Sequence, residues 1–213
     1  MYDKEQMKKH LNKIKDIIYD KINLNEITVL TGNNGSGKSL IRKYMHLAIA
    51  DKYTDGDSQK TKGLIRSISM DTRTKTFSEF GALSSFGHDL EWLATSQNTY
   101  YLLTELFNSI ERDNNNLKYV ILDEFEIGAS EETVLAFINY INEHIKKIKE
   151  NNKKIGFLII THSRLVVEKL NYNNFINIEG LTKEEWLNRK IIPTDLKKLD
   201  DNELFYYLRD KNG

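Results

Sequence analysis

The chain has 213 residues, with 31 basic and 31 acidic side chains and no cysteine. Because its net charge is zero, the protein has no overall electrostatic attraction to nucleic acid or anionic lipid, although local clusters of basic residues can still bind such partners. The lack of cysteine excludes disulfide bonds and cysteine-ligated zinc, and it fits a reducing compartment. No apolar run approaches a membrane span and the charged start is unlike a signal peptide, so we expect a soluble, cytoplasmic protein.

The first predicted elements surround a glycine-rich loop. Apolar residues at helical spacing predict an amphipathic helix over residues 4–19. The β-branched run at 27–30 then predicts a strand that leads directly into the loop, and the segment 39–50 predicts the helix that follows. A glycine-rich loop between a strand and a helix is a setting in which proteins bind phosphate groups.

The loop itself fits the phosphate-binding pattern of a glycine, four residues and then Gly-Lys-Ser. Gly32, Gly35 and Gly37 allow backbone N–H groups to point inward around phosphates. Lys38 can reach the β- and γ-phosphates, and the hydroxyl of Ser39 can complete the shell of a Mg²⁺ ion. The sequence therefore predicts a site for a nucleoside triphosphate with Mg²⁺. The residues assigned to nucleotide binding are Gly32, Asn33, Asn34, Gly35, Ser36, Gly37, Lys38, Ser39 and Leu40.

Strands and helices alternate through most of the chain. Uninterrupted apolar runs at 119–123 and 155–161 are typical of strands buried on both faces of a parallel sheet. The alternation predicts a doubly wound, mostly parallel α/β sheet, in which ligands bind at the carboxyl ends of the strands. The predicted strands after the loop are 64–70, 119–123, 155–161 and 175–179, and the predicted helices are 97–112 and 131–149, the latter with Ser130 as its N-cap.

Two of these strands end in residues suited to phosphate chemistry. Four apolar residues ending in Asp123 form a Walker B pattern, so Asp123 is a predicted Mg²⁺ ligand together with Ser39. Glu124 follows and can take a proton from an attacking water, which is worth roughly 10²- to 10⁴-fold in rate. His162 ends the 155–161 strand, where its imidazole can contact the γ-phosphate or that water. On position alone, His162 can equally be an ordinary loop histidine.

The motifs Asn-Gly-Ser-Gly-Lys-Ser at 34–39, Leu-Asp-Glu at 122–124 and Thr-His-Ser at 161–163 resemble, in this order, those of ABC-type ATPases. The resemblance is strongest to the soluble heads of the SMC and RecF-like group. It implies a P-loop NTPase fold of RecA-like or ABC type that uses ATP and Mg²⁺, with Asp123 and Glu124 as the Walker B pair and His162 as the switch histidine. It also implies a head-to-tail homodimer on ATP binding, in which a signature serine of the partner closes each nucleotide.

Several positions depart from that family pattern. At the spacing of the signature, residues 94–99 retain one serine, Ser96, but lack both glycines. Ser96 can contact a partner's nucleotide or only cap its own helix. Ser130 stands where the family has an acid. The helical arm at 72–112 is short, with no room for a coiled coil.

The C-terminal residues differ from the rest, so we divide the chain into an ATPase domain at 1–179 and a helical appendage at 180–213. Thr182 with Glu185, and Asp200 with Glu203, have the spacing of capping boxes that start helices. These short helices have apolar residues to bury, either against the main sheet or against a partner protein.

The leading interpretation is a soluble Mg²⁺-dependent ATPase that dimerises on ATP binding, with a link to DNA maintenance that rests on the family resemblance. The altered signature and Ser130 keep open a nucleotide-gated binding module with little or no hydrolysis. A small-molecule P-loop kinase is a third alternative, although the sequence contains no recognisable acceptor site. Nucleic-acid binding stays open, because the lysine run within 146–154 can be a solvated face or a DNA-binding patch.

Overall fold

The computed structural model describes residues 26–33, 63–69, 95–113 and 117–190, together with single positions at 16, 23, 38, 41, 42, 44 and 45. Several predictions fall outside the described residues. They are the helix at 4–19 apart from residue 16, the helix at 39–50 apart from residues 41, 42, 44 and 45, the loop residues Asn34, Gly35, Ser36, Gly37, Ser39 and Leu40, the arm at 72–94, and residues 191–213 with the capping box of Asp200 and Glu203.

Five strands form one sheet, and every pairing within it is parallel. The strands are β1 (Ile27–Thr31), β2 (Ile65–Ile68), β3 (Tyr119–Asp123), β4 (Gly156–Ile160) and β5 (Asn174–Asn177), in the order β2-β3-β4-β1-β5. The predicted α/β fold with a mostly parallel sheet is confirmed. The bounds of β3 are those predicted, whereas the other four strands begin or end one or two residues away from the predicted bounds, because the hydrogen bonds of a neighbouring strand decide where pairing stops.

Four helices with complete bounds lie in the described part of the chain, namely α1 (Thr95–Arg112), α2 (Glu131–Glu150), α3 (Arg164–Lys169) and α4 (Lys183–Asn188). Ser130 is the N-cap of α2, as predicted, and accepts a hydrogen bond from the backbone of Thr133. Thr182 and Glu185 form the predicted capping box of α4. The short α3, which begins after Ser163, was not predicted because six residues are too few to show helical periodicity. None of these helices is long and apolar enough to cross a bilayer.

Side chains along the strands alternate between two cores on opposite faces of the sheet. On β3, Val120 and Leu122 pack in the core that contains residues of α1, α2 and α3, whereas Ile121 packs on the other face. Ile41 and Met45 have helical backbone and follow the glycine-rich loop at 32–39, which we call the P-loop. They cover that second face. Both faces are therefore covered, which explains why the central strands are continuous apolar runs.

The first residues of the predicted appendage pack against the sheet. Trp186 of α4 is 2% exposed and belongs to the same core as α1, α2 and α3. Its ring meets that of Phe175 in β5 edge-on, with 6.3 Å between the centroids. The guanidinium of Arg189 stacks 3.8 Å from the Trp186 centroid and covers its outer side.

Lys153 closes the carboxyl end of α1. Its Nζ donates hydrogen bonds to the carbonyl oxygens of Ile110 at 2.7 Å, Glu111 at 3.0 Å and Asp113 at 3.0 Å. A helix end leaves carbonyl groups without intrahelical partners, and a positive donor there stabilises it. One lysine of the basic run is thus a structural cap and not part of a uniform solvated or DNA-binding surface.

Methionine at position 153 keeps most of the aliphatic stem but removes the charged donor from three carbonyl groups. We expect Lys153→Met to lower the free energy of unfolding by about 1–3 kcal/mol. Lys154→Met, at the exposed neighbouring position, should change it by less than about 0.5 kcal/mol. Urea unfolding followed by circular dichroism measures both variants, and equal effects would contradict the capping role.

Candidate functional site

The carboxyl ends of β1, β4 and β3 lie side by side at one edge of the sheet. The P-loop follows β1, His162 comes two residues after β4, and Asp123 is the last residue of β3. Because β4 pairs with both β1 and β3, His162 follows the strand that lies between the one leading into the P-loop and the one ending in Asp123. The strand order thus gathers groups that are far apart in sequence.

Lys38 is buried and folds back onto its own loop. Its Nζ donates to the carbonyl oxygens of Gly32 at 3.2 Å and Asn33 at 2.9 Å. The backbone N–H of Asn33 donates in turn to Oε1 of Glu179, at 2.8 Å. The carboxylate of Glu179 therefore accepts a hydrogen bond from a backbone N–H group in the loop that the sequence assigns to phosphate binding.

The charge of Lys38 is balanced by acids around it. Burial lowers the pKa of the Lys38 ammonium, whereas the nearby charges of Glu124, Glu179 and Asp123 act in the opposite direction. Attraction between charges strengthens where water is excluded. The ammonium of Lys38 is therefore held by attraction to carboxylates in a place from which water is largely excluded.

Asp123 lies beside Arg42, a residue of the helical segment after the P-loop. The distance from Nε of Arg42 to Oδ2 of Asp123 is 3.6 Å, and both side chains are largely buried. Among the described residues, no group of three or more histidines and acids is placed to hold a metal ion. Mg²⁺ commonly takes one or two carboxylates and completes its shell with phosphate oxygens and water. The oxygen donors of Asp123 fit Mg²⁺ in combination with a nucleotide.

Glu124 and His162 are in direct contact, with 2.8 Å between Oε1 of the carboxylate and Nε2 of the imidazole. The backbone of Glu124 is in the left-handed region, with φ of 54°, which costs a residue with a side chain about 1–2 kcal/mol. Its N–H donates to the carbonyl oxygen of Ile160 at 2.8 Å, so the turn is held against the end of β4. Such backbone strain is concentrated at functional sites in proteins.

Glu126 is a buried carboxyl that sequence position alone did not single out. Its Oε1 accepts hydrogen bonds from the Thr161 hydroxyl and from the His162 N–H, the latter at 3.3 Å. Its Oε2 is buried and has no hydrogen-bond partner within the described part of the chain. Burial raises the pKa of Glu126; the bonds from Thr161 and His162 oppose the rise, and the charge of Glu124 adds to it. In the sequence, an acid in a turn looks like a surface residue, and only its burial distinguishes it.

Ser96 lies in the first turn of α1, and Thr95 before it is already helical, so Ser96 is not the N-cap residue. The turn packs against the loop that follows Glu124. A Cβ atom at Gly128 would lie 2.8 Å from Cγ2 of Thr95, and φ of Gly128 is 78°, so this close approach requires glycine. Contact of Ser96 with a partner's nucleotide stays a prediction.

Replacing Glu126 by glutamine removes its titration and keeps its shape. Because the pKa of Glu126 is raised on folding, the native state holds its proton to higher pH than the unfolded chain, and stability is lost as pH rises above the ordinary value of 4.5. We expect Glu126→Gln to gain stability relative to the wild type as pH rises from 4.5 into the neutral range. Urea unfolding across this range measures the difference, with the exposed Glu143→Gln as control. A difference that does not change with pH would contradict the raised pKa.

No protein-family model matches the chain, and no curated protein matches its sequence. Among solved structures, the chain is similar to an ATP-binding subunit of an ABC transporter, with 16% identity over 73% of this chain and 75% of that one and a TM-score of 0.41. It is also similar to cbiO1 from Clostridium perfringens, part of the ABC transporter complex cbiONQ, with 19% identity over 73% and 74% and a TM-score of 0.46. A nucleotide-free ATP-binding cassette from an ABC transporter has 17% identity over 70% and 76%, with a TM-score of 0.40. The fold assignment depends on the strand order itself.

Proposed function

We propose that the chain is a Mg²⁺-dependent ATPase of ABC type. The observation that carries the proposal is the contact between Glu124 and His162, 2.8 Å apart, at the sheet edge where the P-loop lysine Lys38 also lies. The P-loop pattern supports a ligand with a polyphosphate chain. The acids at the end of β3 support metal-assisted transfer of its γ-phosphate to water.

In this proposal, the triphosphate of ATP lies along the P-loop. The ammonium of Lys38 binds the β- and γ-phosphates, and the Asn33 N–H exchanges the Glu179 carboxylate for a phosphate oxygen. Asp123 and the hydroxyl of Ser39 would hold Mg²⁺. When bound, the ion would neutralise part of the negative charge on the phosphates.

Glu124 acts as the general base. It takes a proton from a water molecule whose oxygen bonds to the γ-phosphorus, while the bond from that phosphorus to the β–γ bridging oxygen breaks. The products are ADP and inorganic phosphate. The imidazole N–H of His162 donates to Oε1 of Glu124 and holds the carboxylate in place for this step. General-base assistance of this kind contributes roughly 10²- to 10⁴-fold in rate.

We further propose that ATP joins two copies head to tail, as the SMC and RecF-like resemblance implies. Ser96 and Tyr100 are four residues apart and share one face of α1. Tyr100 is 53% exposed and Ile127 is 37% exposed. Ile127 precedes Gly128, which packs against the first turn of α1 at Thr95. A second copy can cover each of these exposed side chains. A role in DNA maintenance rests on the resemblance alone.

A nucleotide-gated binding module with little hydrolysis is the second candidate. The guanidinium of Arg42 lies 3.6 Å from Asp123, where it competes with Mg²⁺ for the carboxylate. Ser130, which stands in place of an acid in the family, is engaged as the N-cap of α2. Both features favour slow turnover.

Replacing Glu124 by glutamine keeps the shape of the side chain but removes the proton acceptor. We expect Glu124→Gln to lower phosphate release by roughly 10²- to 10⁴-fold while ATP binding is kept. Phosphate release and ATP titration measure the two effects. Light scattering with ATP should detect a dimer of the variant, since it consumes the nucleotide only slowly.

Glu143→Gln, at an exposed position of α2, is the matched control and should leave turnover and binding unchanged. Undiminished hydrolysis in Glu124→Gln would contradict the role of Glu124 as general base, and a monomer under all conditions would contradict the head-to-tail dimer. Tight ATP binding by a wild type that releases no phosphate above background would instead favour the binding module.

Glu179 offers a separate test of nucleotide binding, because its carboxylate accepts from the Asn33 N–H at 2.8 Å. An incoming phosphate needs this amide and is repelled by the carboxylate. We expect Glu179→Gln to bind ATP roughly two- to fivefold more tightly, with a larger effect at low salt. Calorimetric titration at two ionic strengths measures this, and Glu184→Gln, exposed on α4, is the control. Weaker binding by Glu179→Gln would contradict competition between the carboxylate and ATP.

A further inference from the structure

Glu126 has no part in the hydrolysis scheme, although it is buried beside it. The residue is 9% exposed and comes three positions after Asp123, in the turn that also carries Glu124. Between the two glutamates, Phe125 is fully buried in the core that contains residues of α1, α2 and α3. Backbone hydrogen bonds from Ile127 to Glu124 at 3.2 Å, and from Ala129 to Glu126 at 3.2 Å, tighten the turn. The two glutamates are therefore held on one rigid segment.

The hydrogen bonds that the Glu126 side chain accepts from other residues come from the segment that carries His162. Its Oε1 accepts from the hydroxyl of Thr161 and from the backbone N–H of His162, at 3.3 Å. The hydroxyl of Thr161 also accepts from the N–H of Ser163, at 2.9 Å. Thr161 is fully buried, so these bonds are shielded from water. Three successive residues after β4 are thus connected to one carboxyl oxygen.

This connection determines where the imidazole of His162 can lie. The ladder between β4 and its neighbours ends at Ile160, so the backbone beyond it needs other partners to hold one conformation. Oε1 of Glu126 is the partner for the N–H of His162. From this backbone, the His162 side chain reaches Oε1 of Glu124 at 2.8 Å. Glu126 and Glu124 therefore hold the same histidine, one by its backbone and one by its ring.

We propose that Glu126 is a positioning residue for His162: it fixes the backbone of residues 161–163 so that the imidazole stays on the Glu124 carboxylate. The inference rests on the proposed ATPase function. Thr161 is part of the same hydrogen-bond network, because its hydroxyl donates to Glu126 and accepts from the N–H of Ser163. Hydrogen bonds around a catalytic group hold it within the narrow range of geometry that the reaction needs.

Two pairs of variants separate positioning from folding. Thr161→Val removes the hydroxyl at nearly constant volume, and Thr161→Ser keeps it. Glu126→Met removes the acceptor at similar volume, and Glu126→Gln keeps a carbonyl oxygen that can accept both bonds. We expect Thr161→Val and Glu126→Met to lower kcat by roughly tenfold or more with KM for ATP nearly unchanged, and the two conservative variants to restore most of the loss.

A second readout does not depend on hydrolysis. In the full chain labelled with ¹⁵N-histidine, the ring signals of His162 should shift in Thr161→Val and Glu126→Met and return in Thr161→Ser and Glu126→Gln. The chain has five histidines, and His144, whose Nδ1 lies 2.9 Å from the Tyr140 carbonyl oxygen on α2, serves as an internal control. Its signals should not move. Circular dichroism confirms that each variant is folded.

The proposal is overturned if His162 signals and kcat are unchanged in Thr161→Val and Glu126→Met. It is also overturned if the conservative variants lose as much activity as the others, or if His144 signals move together with those of His162, since each result means a general structural role. A wild type that binds ATP but does not release phosphate would refute the ATPase proposal only. The comparison of His162 signals would then decide alone whether Glu126 positions this histidine.

Discussion

The hydrogen bonds that hold β4 between β1 and β3 are the constraint on which the site depends. Past the ends of these strands, the N–H of Thr161 donates to the carbonyl oxygen of Leu30 at 3.0 Å, and that of Glu124 donates to Ile160 at 2.8 Å. These two hydrogen bonds fix the relative positions, along the strand direction, at which the loops after β1, β3 and β4 begin. The P-loop, His162 and Glu124 therefore meet at one edge although none of them is near the others in sequence. Any shift of register along β4 would separate them.

The charges at this edge are balanced mainly by one another. Lys38 is buried among carboxylates, and Arg42 lies against Asp123. Burying charges costs folding free energy unless partners and hydrogen bonds compensate them. In the proposed function, the compensating groups are also those that bind the nucleotide and its metal ion, so that binding would exchange internal pairs for external ones. Glu126 is the exception, because its partners are a hydroxyl and an amide and its second oxygen has no partner in the described part of the chain.

Local patterns predicted most of the described elements. The buried strands β3 and β4 were evident because both faces are covered and their residues are continuously apolar, and α2 because its apolar stripe is long and Ser130 caps it. Local patterns did not predict α3, because this helix is too short to show a repeated hydrophobic spacing. They also did not predict the ends of most strands, because pairing with a neighbouring strand decides where a strand ends. The lysine run shows the same limit: sequence cannot reveal that Lys153 points at the end of α1.

For the candidate site, local sequence patterns were enough to identify the chemical groups and the loop that carries them. The spacing of glycine, lysine and serine is a local property, and so is an acidic pair after an apolar strand. The strand order, the contact of His162 with Glu124, and the burial of Glu126 beside Thr161 became known only from the folded chain. The reason is that hydrogen bonding between strands and exclusion of water depend on residues brought together from distant parts of the chain. Such relations leave no periodic signal in a single sequence.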